Sequence, residues 1–306
     1  ADVPIGAGIL RQLADVYRKV RNTSRYLLGN LHDFNPAADS IPVADLPLLD
    51  RWMLQRTAEV MDEITAAFES YEFFRFFQLL QNYCVTDLSN FYLDIAKDRL
   101  YVNAPADRRR RSCQTVMALI IERLAGLISP VLCHMAEDIW QNLPYSVGEV
   151  SVFQRGWPTV PQEWRDETLS APVQELRDLR AAVNKVLEEC RSRQELGASL
   201  ESAVRIEARR PELKSALDWL RDNGDVEVDG LRDWLLVSQL QLGGEPWAEL
   251  LASQDDAIAV IEVSRARGIK CDRCWHYEGD VGQHPGHATV CGRCVGILER
   301  RTHQRA

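Results

Sequence analysis

The sequence lacks any apolar run close to the roughly 18 residues that a membrane-spanning helix requires. Its first residues also lack the basic start, apolar block and cleavage site of a secretory signal peptide. Internal repeats and low-complexity tracts are absent too. These features lead us to expect a cytoplasmic protein with no membrane partner. The chain begins at Ala1 and not at Met, which is consistent with a piece of a longer protein.

Recognisable catalytic motifs are also missing. The sequence contains no glycine-rich phosphate loop, no Gly-x-Ser-x-Gly elbow and no His-Glu-x-x-His motif. We therefore predict that this chain by itself carries no catalytic residues. What it does contain is the composition of an ordinary globular protein, with 46% apolar and 26% charged residues over a length of 306. That length suits about two or three domains.

The eight cysteines fall into two groups. Four stand singly in helical patterns, where a free thiol usually packs as a small apolar group: Cys84, Cys113, Cys133 and Cys190. The other four form two Cys-x-x-Cys pairs, sixteen residues apart: Cys271, Cys274, Cys291 and Cys294. Each such turn places two sulfurs on one edge of a tetrahedron, which suits Zn²⁺. We predict one structural zinc held by four thiolates, with a four-thiolate iron site or metal-free thiols as alternatives.

The aromatic triplet 275–277, Trp-His-Tyr, follows the first cysteine pair directly. It either packs the small knuckle or presents a ring that stacks on an unpaired base, a contact worth about 1–3 kcal/mol. Three cations accompany it: Lys270, Arg273 and Arg293. Aromatic rings beside cations suit single-stranded nucleic acid, but the residues alone leave both interpretations open.

The charge distribution is uneven. A net charge of -9 argues against nucleic-acid binding by the whole surface. From residue 265 onward, however, eight Lys and Arg stand against four Asp and Glu, while the preceding residues carry 28 against 41. The C-terminal tail is therefore basic on an acidic body, and it stays basic after four cysteines ionise around one zinc.

A second basic feature lies on the first predicted helix. Its members recur at spacings of seven, four and three residues and so share one helix face: Arg11, Arg18, Asn22 and Arg25, with Lys19 and Arg21 beside them. Such a stripe on its own is usually a solvated face. We interpret the arginine run 108–111 in the same way, as a solvated charge run at a helix start.

Helical periodicity dominates the first 143 residues. The first helix has a predicted buried face running from Ile9 and Leu13 to Phe34, ended by Asn35 and Pro36. Three more helices are predicted over 45–70, with Asp45 as N-cap, over 72–101, and over 111–144 with a kink at Pro130. Four helices of this length predict a bundle.

The pattern then changes. A helix is predicted over 172–197, stopped by Gly197, and another over 211–223. Three segments favour strands: 202–208, 234–242 and 257–266. The predicted fold is mainly α: a helical bundle over 1–165, a small α+β domain over 166–264, and a four-cysteine zinc knuckle over 265–306.

These features occur in the order seen in one family. The segments YRKVRNTSRYLLGNLHDF, LDRWMLQR, FYLDIAKDRLY, RRSCQTV and SPVLCHMAEDIWQNLP resemble the C-terminal region of bacterial isoleucyl-tRNA synthetases. ELGASLES, GIKCDRCWHY and CGRCV continue the resemblance over nearly the whole chain. The helical segments alone are shared loosely with the valyl and leucyl enzymes, and the terminal four-cysteine knuckle after the α+β junction is the feature that points to the isoleucyl ones. Cys133, His134 and Met135 depart from the family pattern, on the bundle side.

The resemblance implies a class I synthetase fragment with an anticodon-binding bundle, a junction domain and a zinc module. The whole enzyme attaches isoleucine to its tRNA using ATP, and its catalytic and editing domains would precede this chain. The implied partner is the anticodon stem-loop of isoleucine tRNA, bound by a monomer. The resemblance places Arg18, Arg21, Asn22 and Arg25 of the bundle toward RNA, and Trp275 of the knuckle likewise.

Two alternatives come from other classes of protein. The knuckle also resembles the one in formamidopyrimidine DNA glycosylases, but those enzymes depend on an N-terminal Pro-Glu and a β-rich first domain, whereas this chain opens Ala1-Asp2-Val3-Pro4 and is helical. The other alternative is a scaffold that binds no RNA and uses zinc only to hold its C-terminus. The acidic body favours the scaffold, and the basic tail and helix stripe oppose it.

Overall fold

The computed structural model describes residues 5–225 and 228–303, with backbone only for 301–303. The tail cation Arg305 lies outside the described residues. The chain forms two compact units, one of residues 1–100 and 105–166 and the other of residues 101–104 and 167–306. Mostly helical structure (59%) with small sheets and a terminal four-cysteine cluster confirms the predicted fold class. The three-domain boundaries stay a prediction.

Helices make up the first unit. In chain order they are α1 (Ala7–Gly29), α2 (Pro36–Asp39), α3 (Leu48–Glu69), α4 (Phe73–Asn82), a π-helix (Tyr83–Tyr92), α5 (Leu93–Val102), α6 (Arg108–Ile128) and α7 (Cys133–Gln141). Helix α3 packs against α4 and α6, and α1 against the π-helix and α6. The second predicted helix starts at Leu48, because Asp45 ends a short 3₁₀ turn and Pro47 precedes the helix.

Helix α1 is only partly buried. Its C-terminal half buries Val20 and Leu27 as predicted, but the predicted face is wrong at its N-terminal half, where Ile9 and Leu13 are 43% and 46% exposed. The helix also ends at Gly29, so Phe34 is buried from the following loop. Amphipathic spacing predicts which residues share a face, but not where along the helix a neighbour covers that face.

The third and fourth predicted helices are interrupted. Ten π-helical residues separate α4 from α5. No signal in the sequence distinguishes them from the α-helical residues on either side. Pro130 does more than kink the fourth helix: α6 ends at Ile128 and α7 begins at Cys133. Proline lacks the N–H that the helix ladder needs and clashes with the preceding turn, so a full break relieves both problems.

Buried ion pairs, as well as apolar side chains, hold the first unit. Arg99 binds Asp50 through two hydrogen bonds of 2.7 and 2.9 Å, and the Tyr92 hydroxyl donates to the same carboxylate at 2.6 Å. All three side chains are fully buried. Burial and the Asp50 charge together raise the pKa of Tyr92 well above its ordinary value, which keeps it a hydrogen-bond donor.

The arginine run 108–111 is not a solvated charge run, and that interpretation is wrong. Arg110 is 7% exposed and binds Asp33 through hydrogen bonds of 2.5 and 2.8 Å. Arg111 is close to Asp33 and Asp39. Burial alone raises the pKa of Asp33, but hydrogen bonds from Arg110 and Gln114 outweigh it and lower that pKa to about 2. The run therefore ties α6 to the loop after α1.

The second unit is an α+β fold. Its helices are α8 (Ser170–Ser192), α9 (Pro211–Asn223), α10 (Leu231–Leu235) and α11 (Gly292–His303), and its main strands are β1 (Ser202–Ala208), β2 (Gln239–Leu242), β3 (Ala252–Asp255) and β4 (Ala259–Arg265). The sheet order is β2-β1-β4-β3, with β2 parallel to β1 and the other pairs antiparallel. Two further short strands, β5 (Ile269–Lys270) and β6 (Tyr277–Glu278), pair as a hairpin.

Three details of the second unit differ from expectation. Helix α8 ends at Ser192, before Gly197, and Gln194 takes the left-handed conformation in the turn that follows. Trp234 and Leu235 belong to α10, so the predicted strand over 234–242 begins only at Gln239. Strand β3 was not predicted, because its sequence ASQD carries almost no apolar signal.

The two faces of the sheet have different covers. Alternate residues such as Val204, Ile206 and Val263 point into a core shared with α8 and α9. The other face carries Arg205 and Glu262, which the loop 243–251 covers: Arg205 donates to the Gly244 carbonyl at 2.9 Å, and the Trp247 N–H donates to Glu262 at 3.1 Å. One face of the sheet therefore builds the core, and a loop shelters the charges on the other face.

The single cysteines are buried at 84, 113 and 190, whereas Cys133 is exposed and corrects the expectation for that position. Burial raises the pKa of the Cys84 and Cys113 thiols to about 12, so both stay protonated at neutral pH. Within the described residues, no helix combines the length and apolar character that crossing a bilayer would need.

Candidate metal centre and nucleic-acid interface

The first cysteine pair sits at the tip of the β5–β6 hairpin. Ile269 pairs with Glu278 and Lys270 with Tyr277, so the two strands deliver Cys271 and Cys274 to one end. Gly268 precedes the hairpin with φ +99°, and a Cβ there would lie 2.5 Å from the Glu278 carbonyl oxygen. Only glycine fits this close approach of two backbone segments.

The second pair lies at the start of α11, and the four sulfurs converge. All four Sγ atoms lie within 4.8 Å of one another, and Cys274 Sγ is 3.7 Å from Cys291 Sγ. A tetrahedron with Zn–S bonds of about 2.3 Å requires sulfurs about 3.8 Å apart. All four thiols are buried. The donor set, spacing and burial therefore fit a closed four-thiolate site for a cation that prefers sulfur.

The thiols perturb one another strongly. Hydrogen bonds from the Cys274 and Cys294 thiols lower the pKa of Cys291 to about 3. Hydrogen bonds with Cys274 and Cys291, together with burial, raise the pKa of Cys294, since a thiol that donates to a neighbouring thiolate holds its own proton. Four sulfurs this close cannot all ionise without a cation between them, which is the role that a divalent metal fills.

Little else holds this module together. Beside the cysteines, its buried cluster contains a few small apolar side chains: Val102, Ala104, Val281, Val290 and Ile297. Arg273, a predicted RNA-binding residue, is half-buried and donates from Nη2 to the Val102 carbonyl at 2.6 Å. Its guanidinium therefore has a structural contact inside the second unit.

The aromatic triplet divides between the two interpretations. His276 is buried, Tyr277 is half-buried, and Trp275 is 61% exposed. The backbone N–H of Trp275 donates to the Cys271 carbonyl at 2.9 Å, and the backbone N–H of Cys271 donates to the His276 carbonyl at 2.8 Å. Trp275 takes a left-handed conformation with φ +66°, which is costly for a bulky residue. The backbone of the metal-binding turn thus holds one large ring in solvent.

Lys270 accompanies that ring. Its Nζ lies 5.8 Å from the centre of the Trp275 ring, within cation–π range, and the side chain is exposed. Arg293, the remaining predicted contact in the knuckle, is half-buried on α11. A cation and an indole on one exposed hairpin offer a base a stacking face and a phosphate a charge.

The predicted basic face of α1 is also exposed. Arg18, Arg21, Asn22 and Arg25 are all solvent-exposed on this helix, and Arg18 forms an ion pair with Asp15 one turn earlier. Because residues three and four apart lie on one side of a helix, these four side chains share a face. The structure therefore gives this stripe the accessibility that the prediction requires.

Sequence reasoning missed the residue that fixes the second half of the metal site. Asp280 accepts a hydrogen bond from the Gly292 N–H at 2.8 Å and contacts His284 Nε2 at 3.0 Å. Gly292 lies between the two cysteines of the second pair, so Asp280 anchors that turn. The His-to-Asp spacing of four residues is the only signal in the sequence, and alone it is too common to be informative.

Two protein families match this chain. Residues 50–207 match the family described as the anticodon-binding domain of tRNA ligase. Residues 268–296 match the zinc finger found in FPG and IleRS. The first match covers most of the helical unit, and the second covers the hairpin and both cysteine pairs.

Curated relatives match nearly the whole chain. Isoleucine–tRNA ligase of Parasynechococcus marenigrum (strain WH8102) is 85% identical over 99% of this chain and 31% of its own length. Isoleucine–tRNA ligases of Prochlorococcus marinus (strain MIT 9313) and Synechococcus sp. (strain CC9311) are 77% and 76% identical over 98% of this chain, again over 31% of theirs. The chain thus spans about a third of these relatives and matches their C-terminal part. These matches favour the synthetase reading over the DNA glycosylase and scaffold alternatives.

Proposed function

The chain belongs to the family of tRNA-ligase anticodon-binding domains, and from that membership we propose that it anchors the anticodon stem-loop of isoleucine tRNA for an isoleucine–tRNA ligase. The relatives that carry this name are ligases, and the chain corresponds to about a third of their length. Its role is binding and orientation. A remote anchor raises the rate of a reaction elsewhere because it helps to fix the reacting groups in place.

The observation that carries this proposal is the exposed Trp275 ring beside Lys270 on a metal-organised hairpin. An apolar indole with 61% exposure costs solvation, and its left-handed backbone adds strain. The strained backbone belongs to the metal-binding turn, which two backbone hydrogen bonds close, but the fold gains little from the exposed indole, so a ligand is the natural reason for its exposure. An unpaired base stacked on the indole and a phosphate near Lys270 would use both groups.

The basic face of α1 supplies a second contact surface in the proposal. Arg18, Arg21, Asn22 and Arg25 offer cations and an amide, which suit the phosphates and sugars of an RNA backbone. Such contacts position the RNA without reading its sequence. Lys270, Arg273, Trp275 and Arg293 are the proposed contacts in the knuckle. Since Arg273 already binds the Val102 carbonyl, we assign it the smallest share.

One Zn²⁺, held by Cys271, Cys274, Cys291 and Cys294, completes the proposed module. Four thiolates leave no open coordination position, so the metal orders the hairpin and takes no part in chemistry. We further propose that the protein is a cytoplasmic monomer. Because the relatives are about three times as long as this chain, we also propose that the catalytic and editing functions of such a ligase lie outside it and that the chain alone has no ligase activity.

The test is a titration of the zinc-loaded chain with two RNA hairpins, one carrying the isoleucine anticodon loop and one a swapped anticodon, at about 50 and 200 mM salt. The Trp275→Ala variant should bind the isoleucine hairpin roughly 5- to 150-fold more weakly, the equivalent of about 1–3 kcal/mol for one stacked base. Trp275→Phe should restore most of the affinity, since it keeps an aromatic face.

Ile269→Ala is the matched control, because Ile269 is 60% exposed on the same hairpin but offers no ring. Its affinity should equal that of the unaltered chain. Equal loss in Ile269→Ala and Trp275→Ala would contradict stacking. If neither hairpin binds at either salt concentration, this chain is not the anchor that we propose.

A further inference from the structure

A groove of about 1290 Å³ lies on the loop-covered face of the β-sheet, away from α8 and α9. The loop 243–251 covers Arg205 and Glu262 on that face. The floor of the groove is formed by neighbouring residues of the same face, the buried Ala203 and the half-buried Ser264 and Gln239, which the strand register places side by side. Ala203 and Ser264 are small, and hydrogen bonds hold the Gln239 side chain against the Arg267 backbone, so the floor leaves space for the groove.

The two walls of the groove have different chemistry. The loop 245–251 contributes Pro246, the half-buried Trp247 and the exposed Leu250, together with the exposed carboxylates of Glu245 and Glu249. The other wall, 264–267, contributes two exposed cations, Arg265 and Arg267. One side is therefore apolar with hydrogen-bond acceptors, and the other is cationic.

The cationic wall is held rigidly. The Gln239 side chain donates to the Arg267 carbonyl at 2.8 Å and accepts from the Arg267 N–H at 3.0 Å, while the Ala266 N–H donates to the Glu201 carbonyl at 2.8 Å. Trp247 is fixed in a similar way, since its Nε1 donates to Gln241 Oε1 at 3.0 Å. Both walls are thus shaped before any ligand arrives.

Both arginines are exposed cations in an acidic chain. Among the side chains that the structure describes, 5–225 and 228–300, neither Arg265 nor Arg267 forms an ion pair, although acids outnumber Lys and Arg by 45 to 36 over the whole sequence. They also lie close to the knuckle along the chain. Lys270 follows Arg267 by three positions, which is at most about 11 Å of extended backbone.

We infer that this groove binds the single-stranded RNA nucleotides next to the one that stacks on Trp275. Phosphates lie along Arg265, Arg267 and Lys270, and bases face Trp247, Leu250 and the carboxylates of the loop, which can accept hydrogen bonds from base amino groups. The inference rests on the proposed function and extends it from a single stacked base to a continuous track within the second unit.

The experiment measures binding of the RNA hairpin with the isoleucine anticodon loop to the zinc-loaded chain and to Arg265→Glu/Arg267→Glu. Loss of two phosphate contacts should weaken binding about tenfold or more at low salt. It should also lower the slope of log affinity against log salt by about 1.4. The matched control is Lys214→Glu, a charge reversal on an exposed position of α9, on the opposite side of the sheet.

A second measurement locates the RNA. The same hairpin, with 4-thiouridine in its loop, is bound to the chain and the complex is irradiated. Crosslinked peptides are then identified by mass spectrometry. We expect crosslinks within 246–250. Retained zinc content and circular dichroism establish that each variant is folded.

The outcomes separate the two proposals. If Trp275→Ala weakens binding but the double reversal behaves like Lys214→Glu and no crosslink falls in 246–250, the groove is overturned and the anchoring function stands. If the unaltered chain binds neither hairpin, both are overturned. Weaker binding with the expected slope, together with crosslinks in the loop, supports the track.

Discussion

Helices α3 and α6 bury apolar side chains along almost their whole length, whereas residues 268–300 bury little beyond four cysteines, His276 and a few small apolar groups. The first unit can therefore obtain its stability from area removed from water, at about 25 cal/mol per Å². The knuckle has too little such area for its length. Its hairpin and the start of α11 meet at the sulfurs, so a metal must supply the stability that packing supplies elsewhere.

Metal removal should produce the largest difference between the two regions. Structural zinc contributes about 10–16 kcal/mol to modules of this kind. A chelator, or Cys274→Ser, should therefore unfold 268–296 and leave α3 and α6 folded, as measured by amide hydrogen exchange. Cys133→Ser, which alters an exposed cysteine outside the cluster, should change neither region. Continued protection of the hairpin without metal would show that packing is sufficient there.

Breaking the buried ion pair should have the opposite effect to metal removal: it should destabilise the first unit and leave the knuckle folded. Asp50→Ala leaves Arg99 charged and buried without its carboxylate, which costs about 3–5 kcal/mol. The urea midpoint of the first unit should fall while the zinc content is unchanged.

Asp62→Ala is the matched control for Asp50→Ala, since Asp62 binds Arg165 through two similar hydrogen bonds of 2.7 and 3.1 Å but at an exposed site. Such a surface pair contributes about 0–1 kcal/mol. Equal losses in the two variants would mean that burial does not decide the value of an ion pair in this bundle.

The smallest expected effect is the loss at acid pH of the stability that the ionised Asp33 contributes. The pKa of Asp33 is lowered to about 2, so its stabilising contribution is present above its ordinary pKa of 3.8 and is lost as pH falls toward 2. The stability advantage of the unaltered chain over Asp33→Asn should therefore be constant above pH 5 and shrink below about pH 4. A difference that does not change between pH 5 and pH 2.5 would contradict a role for the ionised carboxylate.

The features that the sequence predicted well are those fixed by neighbours along the chain. Two Cys-x-x-Cys turns define their own geometry, and helix α9 was predicted at 211–223 because its proline start and apolar spacing are local. The exposed face of Arg18, Arg21 and Arg25 follows from helical spacing alone.

The features that were missed depend on distant partners. Arg110 is buried because Asp33 lies opposite, 77 residues earlier. Ile9 and Leu13 have the spacing of a buried face, but the described chain leaves them 43% and 46% exposed. Strand β3 exists because β4 supplies its hydrogen bonds, not because ASQD favours a strand. Predicting the groove would require the register of three strands and the position of one loop, and no single segment of the sequence contains that information.

The backbone ring that joins Cys271 to Trp275 and His276 has a thermodynamic consequence. A metal ligand and the proposed base-stacking residue belong to one hydrogen-bonded turn, so the occupancy of one site bears on the affinity of the other. If zinc raises RNA affinity by some factor, RNA must raise zinc affinity by the same factor, because the cycle of states closes. If the proposed RNA site is real, release of RNA would thus weaken the hold of the protein on its metal, and molecules that carry no RNA would lose zinc first.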